Sequence, residues 1–374
     1  MPPPAQRVSV FAVEPTSIQI VWGSLAPGAA TLTWNGGRLE FQSTGGPGGL
    51  TVDELDPATT FDFVMQLDGQ IVAETTGTTM ADDLGAELAR FATMSDLHLG
   101  TARFGLTSRM TEPGVPVERA HPVRCAEAAV AEALEWGAQR IVIKGDVTHA
   151  SHAHSWTLAG DVFGACPVPV DMIPGNHDRC LASTVDPYHE AARFGATMHR
   201  DVSVVDIDGL RIVFVDSTVS GIDIGVWRPH RSAMRDAVAE AEGPAMIVVH
   251  HQPQSTPWPM YLPRGIPSIA ANPIIANLRR ANPKVIGTSG HTHRNRSRFI
   301  NGVRWTEVGS TKDYPGVWAG YVVHERGIRQ VVKRIVDPSC ITWTEYTRRA
   351  VLGAWGAWSP GTLEQRSFSH PWVG

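Results

Sequence analysis

The sequence predicts an α/β protein with a mixed sheet or two sheets, preceded by a small all-β sandwich. Three observations carry this. Period-2 apolar patterning fills residues 1–80, and short, wholly apolar strands alternate with helical patterns beyond residue 88. Polar clusters sit directly after those strands. At 374 residues the chain also has room for roughly two domains of about 150 residues.

In the first unit Ile18, Ile20 and Trp22 alternate with Ser17, Gln19 and Val21, and Leu32 and Trp34 alternate with Thr31 and Thr33. Phe61, Phe63 and Met65 repeat the pattern, and Gly45-Gly46-Pro47-Gly48-Gly49 is a turn. The run Leu55-Asp56-Pro57-Ala58-Thr59-Thr60-Phe61 resembles the L-x-P-x-T-x-Y corner of fibronectin type III domains. Phe61 replaces the tyrosine, so the corner hydroxyl bond is missing. Polar residues 78–87 read as a linker.

Beyond it, residues 90–94 are a strand. Residues 122–136 are a helix with Val123, Ala126, Val130 and Leu134 on one face and Gly137 at its end. Strands follow at 141–143, 168–173, 245–249 and 284–287, with a helix at 229–242. Asp208-Gly209 and Asn301-Gly302 each turn a hairpin.

Composition excludes several classes. Hydrophobic residues at 43% against 18% charged rule out general disorder. Lys+Arg 32 against Asp+Glu 37 gives a charge of -5, which argues against a nucleic-acid partner. No stretch reaches the roughly 20 apolar residues of a membrane span. Cys125, Cys166, Cys180 and Cys340 form no C-x-x-C pair, which argues against a disulfide scaffold or a cysteine zinc site. With no apolar signal segment at Met1 to Arg7, the expectation is a cytoplasmic protein with no membrane partner. A homo-oligomer stays open.

The chemistry lies just past the strands, where open α/β sheets place ligands. Asp96-Leu97-His98 follows the first strand, Gly145-Asp146 the second and Gly175-Asn176-His177-Asp178 the third. His250-His251 and Gly290-His291-Thr292-His293 end the next two. Two donors on one short loop can close on one ion. Oxygen and nitrogen donors without thiolate favour Mn, Fe, Zn or Co.

These blocks, in this order, resemble the calcineurin-like metallophosphoesterase superfamily over residues 90–335. The resemblance implies a four-layer αββα domain at 88–338 and leaves 339–374 as an extension without a motif. It implies one divalent ion held by Asp96, His98, Asp146 and His293. A second would be held by Asp146, Asn176, His250 and His291, with Asp146 bridging. Such a pair lowers the pKa of a bridging water and clamps phosphoryl oxygens. The implied reaction is hydrolysis of phosphate esters, diesters foremost, by a metal-bridging hydroxide. A phosphomonoesterase, a non-catalytic phosphate-binding protein and a metal-dependent nuclease are the alternatives. His177 matches the histidine that stabilises the transition state or protonates the leaving oxygen, with Asp178 expected to hold its other ring nitrogen. His251 could exchange roles with His250. His149, with His152 and His154, is expected to rim the site.

Departures narrow the subclass. His149 stands where purple acid phosphatases carry a metal-bound tyrosine, and Gly145-Asp146-Val147-Thr148-His149 lacks the arginine of serine/threonine phosphatases. His177 stands where lipid A precursor hydrolases have arginine. The nearest group is the bacterial glycerophosphodiesterases and cyclic-nucleotide phosphodiesterases. For a small-molecule phosphoester substrate, the proline-rich segment between His250 and Gly290 is expected to form a stiff arch. Its crest would carry Trp258, Met260, Tyr261 and Arg264. Trp305, Trp318, Trp343, Trp355 and Trp358 are expected to be packing residues.

Overall fold

The period-2 pattern folds as two antiparallel sheets packed face to face. The computed structural model describes residues 7–105, 108–258 and 263–372. One sheet joins β1 (Val8–Val13), β2 (Ile18–Leu25) and β5 (Gly46–Val52) in that order. The other runs β4 (Gly37–Ser43), β3 (Gly28–Trp34), β6 (Thr60–Leu67), β7 (Gln70–Thr78). Ile18, Ile20, Leu32, Phe61, Phe63 and Met65, the inward positions of the alternation, meet in its core.

After residues 79–86 the chain enters β8 (Glu87–Met94) and a small hairpin of β9 (Arg103–Phe104) and β10 (Met110–Thr111). Then come α1 (His121–Glu135), β11 (Ile141–Lys144), α2 (Ala153–Phe163), β12 (Val170–Ile173), α3 (Pro187–Ala192) and β13 (Thr197–Met198). β14 (Val202–Ile207) and β15 (Leu210–Val215) turn at Asp208-Gly209 and lead to α4 (Arg231–Ala239) and β16 (Ala245–Val249). α5 (Ser268–Ala281) and β17 (Val285–Ser289) precede the hairpin β18 (Arg296–Ile300) and β19 (Val303–Glu307). A second hairpin, β20 (Val317–His324) with β21 (Gly327–Arg334), precedes α6 (Pro338–Thr347), α7 (Ala354–Trp358), α8 (Leu363–Arg366) and β22 (Ser367–Pro371).

Two mixed sheets result, ordered β13-β12-β11-β8-β20-β21-β22 and β14-β15-β16-β17-β19-β18. Their central strands are buried and largely apolar because each serves two cores. In β11, Ile141 and Ile143 face α1 and α2, while Val142 faces the second sheet. In β16, Met246 and Val248 face the first sheet, while Ala245, Ile247 and Val249 face α4 and α5. Helices therefore cover both outer faces, giving four αββα layers. No described helix is long and apolar enough to cross a membrane.

One expectation is corrected. Residues 250–290 are not one proline-stiffened arch. Ala271, Ile274, Ile275 and Leu278 give α5 a buried stripe that outweighs the breaker Pro273 inside it. Residues 339–374, expected only as an extension without a motif, pack onto the body. Cys340, Ile341 and Trp343 of α6 are buried, and β22 pairs with β21.

The C-terminal segment also ties the two units together. Ser367 Oγ accepts the Val13 N–H at 3.1 Å, and Arg366 Nε donates to the Phe11 carbonyl at 2.8 Å. Gln19 brackets Arg334, donating to its carbonyl and accepting its N–H, both at 2.9 Å. Phe11, Ala12 and Val21 join the core between the two large sheets.

Candidate metal centre

Every metal-type block stands at the carboxyl end of a parallel strand, the place that open α/β sheets give to ligands. Asp96 and His98 follow β8, Asp146 follows β11, Asn176 follows β12, His250 follows β16, and His291 and His293 follow β17. Asp96, His98, Asp146, His291 and His293 all adopt left-handed backbone, φ 50–68°. That conformation is uncommon for residues with side chains and clusters at functional sites. The glycines are needed for close approach. A Cβ on Gly175 would strike Asp146 Oδ1, and one on Gly290 would strike Ser95 Oγ.

The donors converge. His250 Nε2 lies 3.4 Å from Asp146 Oδ2, 3.2 Å from Asn176 Oδ1 and 3.1 Å from His291 Nδ1. His98 Nε2 is 3.6 Å from Asp146 Oδ2, and His293 Nε2 is 3.5 Å from Asp96 Oδ1. Ligands about 2.0–2.2 Å from one ion sit roughly 3.0–3.6 Å from each other. The far ring nitrogens are anchored as ligating histidines require. His250 Nδ1 meets the Lys144 carbonyl at 2.7 Å, His293 Nδ1 meets Asp313 Oδ2 at 2.7 Å, and His291 Nε2 meets the Arg264 carbonyl at 3.2 Å. Asp96 Oδ1 and both His98 ring nitrogens are buried without a hydrogen-bond partner among the described residues. Burying such atoms unpaired is costly, and a divalent ion would satisfy them. The donor set fits divalent metal.

Electrostatics agree. Burial lowers the His98 pKa well below its usual value, and the Lys312 and His177 charges lower it further. Burial and the neighbouring His250 take His291 down to about 3. Both rings are thus neutral, with a lone pair to offer. Burial opposes protonation of His250, but the Asp146 carboxylate overrides it and raises that pKa to about 9.

His177 lies beside His98, ring centroids 4.5 Å apart, and its backbone N–H donates to Asp146 Oδ1 at 2.8 Å. Its Nδ1 meets the carbonyl of His149 at 2.8 Å. The expected Asp178–His177 pairing is therefore corrected. Asp178 is fully buried and accepts backbone N–H bonds from Val147, Thr148 and Gly175, plus the Thr148 hydroxyl. It ties the Gly145-Asp146 loop to the Gly175-Asn176 loop and never reaches the ring.

His149 is in the site, its ring 5.1 Å from that of His177, while His154 turns away to Glu118. His251 is buried, with Nδ1 2.8 Å from Ser217 Oγ, and it groups with His250 and His291. Arg264 contributes its carbonyl, 3.2 Å from His291 Nε2. Trp258 is 66% exposed and makes no ring contact among the described residues. Met260 and Tyr261 lie outside the described residues.

Sequence reasoning missed Asp313, Lys312 and Trp355. Lys312 and Asp313 follow β19 at its carboxyl end, the same signal that exposed the other blocks. Trp355 was read as packing, but it is half-buried and lies 6.1 Å from His293 by ring centroids.

The four-layer αββα scaffold thus carries a histidine and aspartate cluster at its strand ends. Residues 89–295 match the calcineurin-like phosphoesterase family, and the chain belongs to it. It is 26% identical over 117 residues to the glycerophosphodiester phosphodiesterase GpdQ of Enterobacter lignolyticus. It is 27% identical over 114 residues to a probable cyclic nucleotide phosphodiesterase of Fibrobacter succinogenes. Each alignment covers 30% of this chain and 41% of the relative. A dimetal phosphatase from Danio rerio superposes with a TM-score of 0.51 at 12% identity, over 69% of this chain and 100% of that one, a likeness of fold.

Proposed function

We propose that the chain is a dinuclear metal-dependent phosphodiesterase. The observation that carries this is the convergence of seven donors, with Asp146 Oδ2 within 3.6 Å of both His98 and His250. Asp96, His98, Asp146 and His293 would hold one ion, and Asp146, Asn176, His250 and His291 the other. When bound, the ions activate water and draw charge from the phosphoryl oxygens. Asp146 is placed to bridge, and Asp313, Arg264 and Lys144 fix the ring orientations of His293, His291 and His250. His177 faces the same space from above His98. Its Nδ1–H donates to the His149 carbonyl, which leaves Nε2 to meet or protonate the departing oxygen.

Preference for diesters draws on two supports. The two curated relatives are named as phosphodiesterases. Trp355 and Phe104, ring centroids 5.6 Å apart, put an aromatic wall beside His293 where an organic substituent can pack. We read the N-terminal unit as a fibronectin type III-like module, supported by its three-plus-four strand arrangement and by buried Leu55 and Phe61 at the corner.

The test is turnover by Mn²⁺-reconstituted protein of bis-nitrophenyl phosphate, nitrophenyl phosphate and a cyclic nucleotide. A higher kcat/KM for the diesters is expected. A preference for the monoester would replace this reading with a phosphomonoesterase. Phosphate binding without any turnover would make the protein a binding module.

A further inference from the structure

Lys312 is an unusual buried cation. It is 4% exposed, yet its ammonium makes no hydrogen bond or ion pair among the described residues. Its one contact of note is with the face of Phe104, 5.0 Å from the ring centroid. A charge taken out of water without a partner is strongly unfavourable unless something compensates it. Asp313, Asp96 and Asp146 attract it only across a gap, and in the proposed metal centre the last two are committed to ions.

The backbone of the lysine is also held in place. The Lys312 N–H donates to Ser310 Oγ at 3.1 Å, and its carbonyl accepts from Trp343 Nε1 at 2.8 Å. Ser310 Oγ in turn donates to the Asp96 carbonyl at 2.9 Å. The lysine backbone is thus fixed to the loop that carries Asp96 and to α6. The Phe104 ring that the ammonium faces lies 5.6 Å from Trp355, and Trp355 lies 6.1 Å from His293, so the lysine stands beside the His293 end of the cluster. Asp313, the next residue, is bonded to His293 and Trp355 and not to the lysine.

We infer that Lys312 is a phosphoryl-binding residue, its ammonium reaching a phosphoryl oxygen of the substrate beside the metal ions. The inference rests on the metallophosphoesterase reading and adds a contact that no metal makes. It explains why a buried cation is left unpaired: its partner arrives with the substrate. A lysine serves here as a point charge, able to follow an anion that changes shape as the ester bond breaks. The Phe104 face holds the charge by its ring quadrupole without neutralising it.

The experiment uses the full chain loaded with Mn²⁺ and inorganic phosphate as the probe, read by calorimetry. Metal content and melting temperature are measured alongside. Lys312→Met keeps the length of the stem and removes the charge. It should weaken phosphate binding by about 10- to 100-fold, the scale of a charge-assisted hydrogen bond, with metal content unchanged. Without phosphate its melting temperature should equal or exceed that of the wild type, because an unpaired buried charge has gone. Lys312→Arg should recover part of the affinity. Unchanged phosphate affinity in Lys312→Met at full metal content overturns the inference and leaves the enzyme reading intact. So does a fall in melting temperature without phosphate, which would make the ammonium a structural group. A wild type that loads metal but binds no phosphate and cleaves no ester overturns the enzyme reading itself.

Discussion

Trp355 donates its indole N–H to Asp313 Oδ1 at 3.1 Å, while Asp313 Oδ2 meets His293 Nδ1 at 2.7 Å. A residue near the C-terminus thereby sets the angle of a histidine in the metal cluster. Partners that orient ligating histidines typically govern metal affinity by about 10–100-fold. Asp313→Ala should weaken metal binding on that scale, measured by chelator competition. Trp355→Phe keeps the ring and loses the bond, so its loss should be smaller. Unaltered affinity in Asp313→Ala would mean that His293 is oriented by other contacts.

Asp146 is placed between His98 and His250, so Asp146→Asn should reduce the content of both metals together and abolish turnover. Elemental analysis decides this. Full occupancy of both sites in the variant would remove Asp146 from the bridge.

His177→Ala should keep its metal while kcat falls by about 10²–10⁴-fold, the range of general acid catalysis. The loss should shrink for nitrophenyl esters, whose leaving groups depart without a proton. An equal loss for good and poor leaving groups would assign the ring to charge stabilisation instead.

His121 links stability to pH. It is fully buried, stacks on Trp343 at 3.9 Å between centroids, and its Nδ1 meets Glu112 at 3.1 Å. Burial outweighs the pull of Glu112 and takes its pKa down to about 4. The folded value lies below the roughly 6.5 of an unfolded histidine. The unfolded chain therefore takes up the proton first. His121 contributes stability above pH 6.5 that is lost as the pH falls toward 4. In chelator-treated protein, the stability gap between wild type and His121→Gln should narrow by about 2 kcal/mol from pH 7.5 to 5. A gap of constant size would show that His121 does not titrate in this window.

The cluster was legible in the sequence because its donors must leave strand ends on short loops, which fixes their spacing along the chain. The hairpins at Asp208-Gly209 and Asn301-Gly302 were legible because few residues accept positive φ. Asp178 was misread because three of its partners are backbone N–H groups, which have no side-chain identity to recognise. α5 was hidden by its prolines, although the spacing of Ala271, Ile274, Ile275 and Leu278 was there to see. The hairpin of β20 and β21 turns at Glu325-Arg326, without the Asn-Gly signal that marked the others. Trp355 meets Asp313 and His293 only in three dimensions, and no local spacing announces it.

The seam closed by Ser367 and Arg366 also orders events during translation. Domains emerging from the ribosome tend to fold from the N-terminus onward. Here the sandwich strand that carries Phe11 and Val13 is made well before Arg366 and Ser367, its partners across the seam. The residues that brace His293 and Lys312 are also made after every block of the metal cluster. The donors of the cluster thus precede in the chain the contacts that fix them, which wait for Asp313, Trp343 and Trp355.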